Sequence, residues 1–429
     1  MPSFELTPKQ ELQRDAAASP ARHILAYGGS RSGKTFGFCR CVAARALAAP
    51  GGRHLICRLH NIDVKQAVLM DTFPTMMSVA FPNVPYHVHK SDQYIEIEDS
   101  EIWFGGLDDK ERVEKILGKE YCTVYPNETS QIPYESILML RTRLAQKVFR
   151  RDGTQLPIKA YYDLNPTGRS HWTHREFVEG VRPDNRKPLP PGSRTWIQMN
   201  PEDNPHLPEE YLEELDSMPE RQRQRFKEGN YLAEVPGTLW PIDRLDSTRR
   251  AKEQLPEMTR IVVAVDPSGS DGAGGDSQGI IVVGKGVDAH AYVLQDRTCC
   301  LSPAGWGRRV VDAYHYWNAD CIVAEANYGG AMVESTIKVA DKLAKVKLVH
   351  ASRGKHVRAE PIAALYESNE HRQAMAHHAG LFSDLEDQMA AFTTDGYQGS
   401  GSPDRADALV WALTELMITG SDHSWEGAL

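Results

Sequence analysis

The octet Gly28-Gly29-Ser30-Arg31-Ser32-Gly33-Lys34-Thr35 matches GxxxxGK[ST] at every fixed place. Glycines at these positions let the backbone fold into a nest whose N–H groups point at phosphate oxygens. Lys34 would reach the β- and γ-phosphates of ATP, and Thr35 would hold Mg²⁺ at the start of its helix. The apolar run HILAY before the octet reads as a strand, and residues 34–48 after it as a helix. A chance Gly/Ser turn would not come with both.

Hydrolysis also needs an acid that directs water. Residues 121–128, YCTVYPNE, read as a strand ending in a polar pair. Glu128 is the candidate catalytic base. Asn127 stands where a magnesium-associated Asp is common, and an amide supplies no negative charge. The competing reading is a strand end closed by exposed Asn and Glu. Arg31, inside the loop, would stabilise transition-state charge in cis. Arg141 and Arg143, in LRTRL, would do so in trans across a ring interface, and each also reads as an ordinary helix-surface charge. Gln10, in LTPKQ, is a candidate for contacting adenine, against a solvated glutamine.

A second set of acids lies far along the chain. IVVAVD ends a strand on Asp266, and CIVAE ends another on Glu325. Unpaired charge is costly to desolvate, so a buried strand rarely ends on a carboxylate without a partner. In SPDRADALVW, Asp404 and Asp407 stand three residues apart at the start of a helix, on one face. Together the four would hold two Mg²⁺ or Mn²⁺ ions about 4 Å apart, which activate water and stabilise the leaving oxygen in phosphodiester cleavage. Taken singly, Asp404 is equally a helix cap. Asp276, in GGDSQG, is a weaker candidate and reads as a turn residue. The basic run 352–358, SRGKHVR, reads as a contact for DNA phosphates beside the acids, or as a solvated loop. His377-His378 reads as a surface pair at a helix end rather than a ligand site.

These residues need elements to hold them. A chain of 429 residues exceeds one ordinary core, and two domains of about 150 to 250 residues are expected. The first half alternates short apolar runs with helical segments, with strands at 23–27, 54–58, 102–104, 121–125 and 158–163, which indicates an α/β fold with a parallel sheet. Residues 183–208 are rich in Pro, Asn, Asp and Gly and read as mostly loop, followed by a charged helical stretch at 208–229. The second half places three strands in a row (261–265, 280–284, 292–294) before helix and strand alternate, with strands at 321–325 and 346–349. That is the element order of a ribonuclease H-like fold. The boundaries read from this pattern are 1–230 for an ATPase domain, 231–258 for a linker, 259–420 for a nuclease domain and 421–429 for a frayed tail.

Composition bounds the setting. No stretch approaches the roughly 18 apolar residues of a membrane helix, and the N-terminus lacks the pattern of a secretory signal, so the cytoplasm is expected. Seven scattered cysteines without a CxxC pair fit reduced core thiols better than disulfides or zinc ligands. The net charge of −9 leaves the partner undecided, since a local basic groove and clustered acids are both compatible with it.

The motifs in this order resemble one known family. The GGxxSGKT loop, the strand ending in Asn127-Glu128, and Asp163-Leu164-Asn165-Pro166 followed by His171-Trp172 look like the packaging ATPase of the large terminase subunits of tailed bacteriophages, a P-loop domain of RecA/ASCE type. VDPSGS, AEANYGG, RAEPIAALYE and SPDRADALVWAL resemble the terminase nuclease, which is RNase H-like and uses two metals. The resemblance makes Asn165 the residue that couples hydrolysis to movement, and Asp266, Glu325 and Asp407 the metal ligands, with Asp404 a possible fourth. It implies a ring of five subunits on the portal protein of a procapsid, in the host cytoplasm, translocating double-stranded DNA chosen by a small terminase subunit and cutting it from a concatemer. The departures are Asn127 in place of an acid and Glu325 where many relatives carry Asp. Two other readings compete: a helicase-like ATPase with a repair nuclease, disfavoured because the second half does not repeat a RecA-like domain, and a structural packaging component with a dead nuclease, disfavoured by the retained acids.

Overall fold

The computed structural model describes residues 4–107, 116–218, 220–267, 277–326, 330–351, 354–368, 373–399 and 401–419. It divides into two compact units, Met1–Leu232 and Ala233–Leu429. Asp276, residues 352–353 of the basic run and the tail 421–429 lie outside the described residues. Among the described residues no helix is long and apolar enough to cross a membrane.

The first unit is built on an eight-stranded sheet with strand order β3-β4-β5-β2-β6-β7-β1-β8. Its strands are β1 (His23–Tyr27), β2 (Arg53–Arg58), β3 (His87–His89), β4 (Tyr94–Ile97), β5 (Ser100–Gly106), β6 (Thr123–Pro126), β7 (Lys159–Leu164) and β8 (Arg194–Gln198). β1 runs parallel to both β7 and β8, and β2 to both β5 and β6; at one edge β4 pairs antiparallel with β3 and with β5. All five residues of β1 are buried, as expected of a strand covered on both faces, which explains a continuous apolar run without alternation. The helix Lys34–Ala48 lays Phe38, Val42, Ala43 and Ala46 into the core, where the Phe38 ring stacks on Tyr161 with centroids 4.9 Å apart. Because β1, β6 and β7 are parallel, the loops that leave their C-terminal ends share one sheet edge, where open α/β sheets bind ligands.

The segment expected to be mostly loop at 183–208 contains β8. Thr195, Trp196 and Ile197 pair with Ile24, Leu25 and Ala26, so pairing with β1 overrides the loop-like composition around it. Behind β7 a buried ion network holds the unit together. Glu176 is 1% exposed and accepts from both Arg141 terminal nitrogens (2.8 and 2.9 Å), from Arg194 Nε (3.0 Å) and from the Tyr134 hydroxyl (2.7 Å). Burial opposes its charge, but the two guanidiniums win and hold its carboxyl at about 2.

The second unit carries a six-stranded sheet, order β13-β12-β9-β10-β11-β14. Its strands are β9 (Met258–Asp266), β10 (Gly279–Gly286), β11 (Ala291–Asp296), β12 (Cys321–Glu325), β13 (Val346–Val349) and β14 (Ala376–His378). β9, β10 and β11 form the antiparallel meander, and β12 joins β9 in parallel. The helix Pro303–Tyr316 covers one face with Trp306, Val310 and Ala313, and the helix Asp404–Leu413 covers the other.

Two expectations are corrected here. The expected linker 231–258 is not free-standing: from Ala233 it belongs to the second unit, where Trp240 and Leu245 are fully buried in the core around the helix Ile242–Thr248. His377 and His378 are not a surface pair at a helix end, since they form the buried strand β14 beside β11. The two corrections share a cause. His377 Nδ1 bonds the Thr248 carbonyl (2.8 Å), His378 Nδ1 bonds Glu386 (2.9 Å), and Arg249 donates twice to the same carboxylate (2.7 and 2.9 Å). The histidines thus fasten the segment that precedes the sheet. Burial lowers the pKa of both rings.

Removing the Glu176 charge leaves two buried guanidiniums without a counterion, and breaking such a network costs about 3–5 kcal/mol. Glu176→Gln is therefore expected to lower the urea midpoint of the first unit at neutral pH. Because the folded-state pKa of Glu176 is depressed from 4.5 to about 2, its contribution is present above pH 4.5 and fades as pH falls toward 2. The gap between parent and variant should stay constant from about pH 7 to 5 and narrow below about 4.5; a gap that does not change with pH would contradict the assignment.

Candidate functional site

The phosphate loop of the first unit is tightly constrained. Gly28 has φ +146°, and a Cβ there would lie 1.9 Å from the Met199 carbonyl oxygen, so only glycine fits where β8 ends. At Gly29 a Cβ would meet the Phe226 carbonyl at 2.6 Å. Gly29 N–H donates to Asn200 Oδ1 (3.1 Å) and Ser30 N–H to the Phe226 carbonyl (2.7 Å). Arg31 and Glu128 both hold left-handed backbone, φ 54° and 55°, a conformation that costs non-glycine residues energy and concentrates at functional sites.

Lys34 is buried, and its ammonium donates to the carbonyls of Gly28 and Gly29, to Ser32 Oγ (3.0 Å) and to Asn165 Oδ1 (3.1 Å). Burial lowers its pKa to about 8, against the pull of Asp163 and Glu128. Asn165 Nδ2 in turn donates to Ser30 Oγ (3.2 Å), so the residue after β7 is joined to the loop at both ends of its amide. Gln10 Oε1 accepts from Thr7 N–H in a capping box of the helix Pro8–Ala18, and its amide nitrogen lies beside Gly33, 3.0 Å from where a Cβ would stand.

Glu128 follows β6, where Arg58 contacts its Oε1 at 3.1 Å. Burial raises the Glu128 pKa, with Arg58 opposing and Asp163 reinforcing. Arg31 is exposed, with its guanidinium 5.7 Å from the centre of the Tyr211 ring. Arg143 donates to the Leu117 carbonyl (2.9 Å) at the end of the helix Tyr134–Thr142. Arg141 is committed to Glu176 and the Tyr162 hydroxyl, so it is neither a free surface charge nor a group presented to a neighbouring molecule.

Asp163, named above only as part of the Asn-Pro motif and given no role there, is a site residue. It is 2% exposed, and its carboxylate accepts from Thr35 Oγ1 (2.9 Å), Tyr125 OH (2.9 Å), Asn127 Nδ2 (2.7 and 2.9 Å) and Glu128 N–H (2.9 Å). A signal exists in the residues: in KAYYDL the acid is a polar member of a strand whose six residues are all buried.

In the second unit Asp266 and Glu325 end the neighbouring parallel strands β9 and β12, one residue beyond the pair Val265–Ala324. Asp404 and Asp407 stand in the first turn of the helix Asp404–Leu413, both buried. Gly279 permits that approach, since a Cβ there would lie 1.9 Å from the Asp404 carbonyl oxygen. Pro403 occupies the cap position, and the Asp404 side chain accepts from Ser277 Oγ (2.8 Å) instead of capping. Asp266 titrates well above the carboxylate range, first through burial, then through Asp407, Glu325 and Asp404. Lys355 Nζ lies 2.5 Å from Asp407 Oδ2, and Arg358 contacts Asp407 and Glu325 at 3.8 and 3.6 Å. The described part of the basic run is thus turned toward the acids, in the helix Lys355–Ala363. Trp411, which the sequence reading also passes over, donates its indole N–H to Glu325 Oε2 (2.6 Å) and lies under the Arg358 guanidinium. Its place four residues after Asp407 puts it on the same helix face. Among the described residues, no set of three or more His, Cys, Asp and Glu side chains is arranged to hold a metal ion.

Residues 20–230 match the family described as phage terminase large subunit, and residues 263–416 match the terminase RNaseH-like domain. No curated protein sequence matches the chain. Among solved structures, the large terminase of a thermophilic bacteriophage is similar at 13% identity and a TM-score of 0.47, over 96% of this chain and 99% of that one. The large terminase of bacteriophage HK97 is similar at 11% identity and a TM-score of 0.41, over 96% and 95% of the two chains. The large terminase nuclease of thermophilic phage G20c is similar at 13% identity and a TM-score of 0.31, over 42% of this chain and 98% of that one. With one family covering the first unit and the other the second, the chain belongs to the large terminase subunits of phages, pairing a P-loop ATPase-type domain with an RNase H-like domain.

Proposed function

We propose that this chain is the motor and nuclease of a phage DNA-packaging machine, hydrolysing ATP to drive double-stranded DNA into a procapsid and cutting concatemeric DNA by metal-dependent phosphodiester hydrolysis. The observation that carries it is the presence, in one chain, of a phosphate loop whose Thr35 bonds the acid Asp163 and, in the second compact unit, of Asp266 close enough to Asp407, Glu325 and Asp404 to feel their charge.

In the first unit, the backbone of residues 28–33 and the Lys34 ammonium bind the phosphates of ATP. Thr35 is the residue whose hydroxyl would hold Mg²⁺, and the ion would supply charge neutralisation to the phosphates. Glu128 accepts a hydrogen bond from the attacking water. Its raised pKa makes it a stronger base than an exposed glutamate, and Arg58 fixes its direction. Asn165, bonded to both Lys34 and Ser30, carries a change at the phosphates into the end of β7. Arg31 or Arg143 stabilises charge on the transferring phosphoryl group, the first in cis and the second across a ring of five subunits, and Gln10 contacts the base.

In the second unit, the donor set suits a hard divalent cation, since Asp266, Glu325, Asp404 and Asp407 offer only carboxylate oxygens. The charge conflict at Asp266 and the Lys355 ammonium beside Asp407 both mark a place where positive charge is stabilised. Mg²⁺ or Mn²⁺, as a pair of ions, would supply Lewis acidity there. Trp411 and Arg358 hold Glu325 in position. The partners of this reading are DNA, a small terminase subunit and a portal protein, in the host cytoplasm.

Three variants of the full chain test the division of labour. Lys34→Ala should lower ATP turnover by at least about 10³-fold while leaving plasmid cleavage within about twofold, because the lysine serves only the phosphates. Turnover at the parental rate would remove the loop from the mechanism. Asp266→Ala should do the reverse, abolishing cleavage with ATP turnover retained; cutting at full rate in that variant would sink the carboxylate assignment. Glu128→Gln should bind ATP with parental affinity yet not hydrolyse it, and normal turnover would mean that another residue directs the water.

A further inference from the structure

The first residue after β6 is Asn127 and not an acid, yet the first unit holds a carboxylate against the hydroxyl of Thr35. That carboxylate is Asp163, on the adjacent strand β7 and opposite Ala26 of β1. We propose that Asp163 is the acid of the nucleotide-associated Mg²⁺, its charge having been moved from β6 to β7, with Asn127 as its obligatory neutral neighbour. The inference rests on the phosphate-loop reading above and deepens it.

Three observations carry it. First, Thr35 is the residue whose hydroxyl faces the cation in phosphate-loop proteins, and it is hydrogen-bonded to Asp163 Oδ2 at 2.9 Å. Second, among the described residues every donor to the Asp163 carboxylate is neutral: the hydroxyls of Thr35 and Tyr125, the amide of Asn127 and the backbone N–H of Glu128. Neutral donors stabilise a buried carboxylate without cancelling its charge; the Lys34 ammonium is near enough to feel Asp163 but donates to other groups. Third, both halves of the Asn127 amide are engaged, the nitrogen by Asp163 and the oxygen by Arg58. Its Nδ2 donates to Asp163, Thr35 and Tyr125, while its Oδ1 accepts from Arg58 Nε at 2.5 Å. An aspartate at 127 would face Asp163 across the 2.7 Å now spanned by the amide, and two carboxylates so close cannot both stay ionised. The pair therefore carries one negative charge, which the amide at 127 leaves on Asp163, and exchanging the two residues keeps an acid against an amide once the Thr35 and Tyr125 hydroxyls turn to donate to residue 127.

The same carboxylate touches the other working parts. Asp163 Oδ1 holds the Glu128 backbone in its left-handed conformation, Thr129 Oγ1 bonds the Asp163 carbonyl at 2.9 Å, and Asn165 follows two residues later. One buried residue thus joins the Thr35 side of the loop to the backbone of Glu128, two positions before Asn165 in the chain.

The test is ATPγS binding to the full chain by calorimetry, in Mg²⁺ and in EDTA, for the parent, Asp163→Asn, and the exchanged double variant Asn127→Asp/Asp163→Asn. Metal and nucleotide enhance each other by the same factor, and for the parent a gain of roughly tenfold or more from Mg²⁺ is expected. Asp163→Asn should lose most of the Mg²⁺ gain, read as the ratio of its own affinities in Mg²⁺ and in EDTA, and the exchanged variant should recover it. An undiminished gain in Asp163→Asn overturns the inference alone. No ATPγS binding by the parent overturns the phosphate-loop reading and this inference with it. Should Asp163→Asn lack the unfolding transition of the first unit, the exchanged variant decides: a recovered gain supports the one-acid pair, and a folded exchanged protein without the gain overturns it.

Discussion

Both units depend on the cost of placing a carboxylate at the buried end of a β-strand. In the first unit that cost is met at Asp163 by neutral donors drawn from three neighbouring segments, the phosphate-loop helix, β6 and the residues after it. In the second unit it is not met at Asp266, which faces three further acids and titrates well above its ordinary range. The contrast assigns different tasks to similar strand ends. A satisfied carboxylate orients its neighbours, whereas a frustrated one marks where positive charge must come. Lys355 and Arg358 already answer part of that demand at Asp407.

Strand direction turns these local facts into sites. β1, β6 and β7 are parallel, so residues more than a hundred positions apart in the chain meet at one edge, as Lys34 and Asn165 do. In the second unit β9 and β12 play this part for Asp266 and Glu325, and Gly279 lets the helix carrying Asp404 and Asp407 reach the same place.

Much of this was legible in the residues. The phosphate loop, the helix Lys34–Ala48, the strand Cys321–Glu325 and the run β9, β10, β11 follow from apolar runs and turn residues, which are local signals. What escaped were features decided by partners distant in sequence. β8 lies in a Pro-rich stretch and exists because β1 offers it an edge. β14 is only three residues long, and its two histidines are buried because Glu386, Tyr366 and Thr248 give their nitrogens partners. Residues 231–258 read as linker because apolar residues such as Trp240 and Leu245, scattered through a polar stretch, do not announce that a core will receive them. Asp163 was visible within the Asn-Pro motif, but its role shows only once Asn127 and Thr35 stand beside it.

The central claim is that one chain joins a nucleotide hydrolase to a metal-dependent DNA nuclease, and the second half of it is the more exposed. The most direct measurement is cleavage of supercoiled plasmid by the unaltered full chain in Mg²⁺, in Mn²⁺ and in EDTA. The account predicts cutting with at least one of the two metals and none in EDTA. Cutting that persists undiminished in EDTA, or no cutting with either metal, would contradict it.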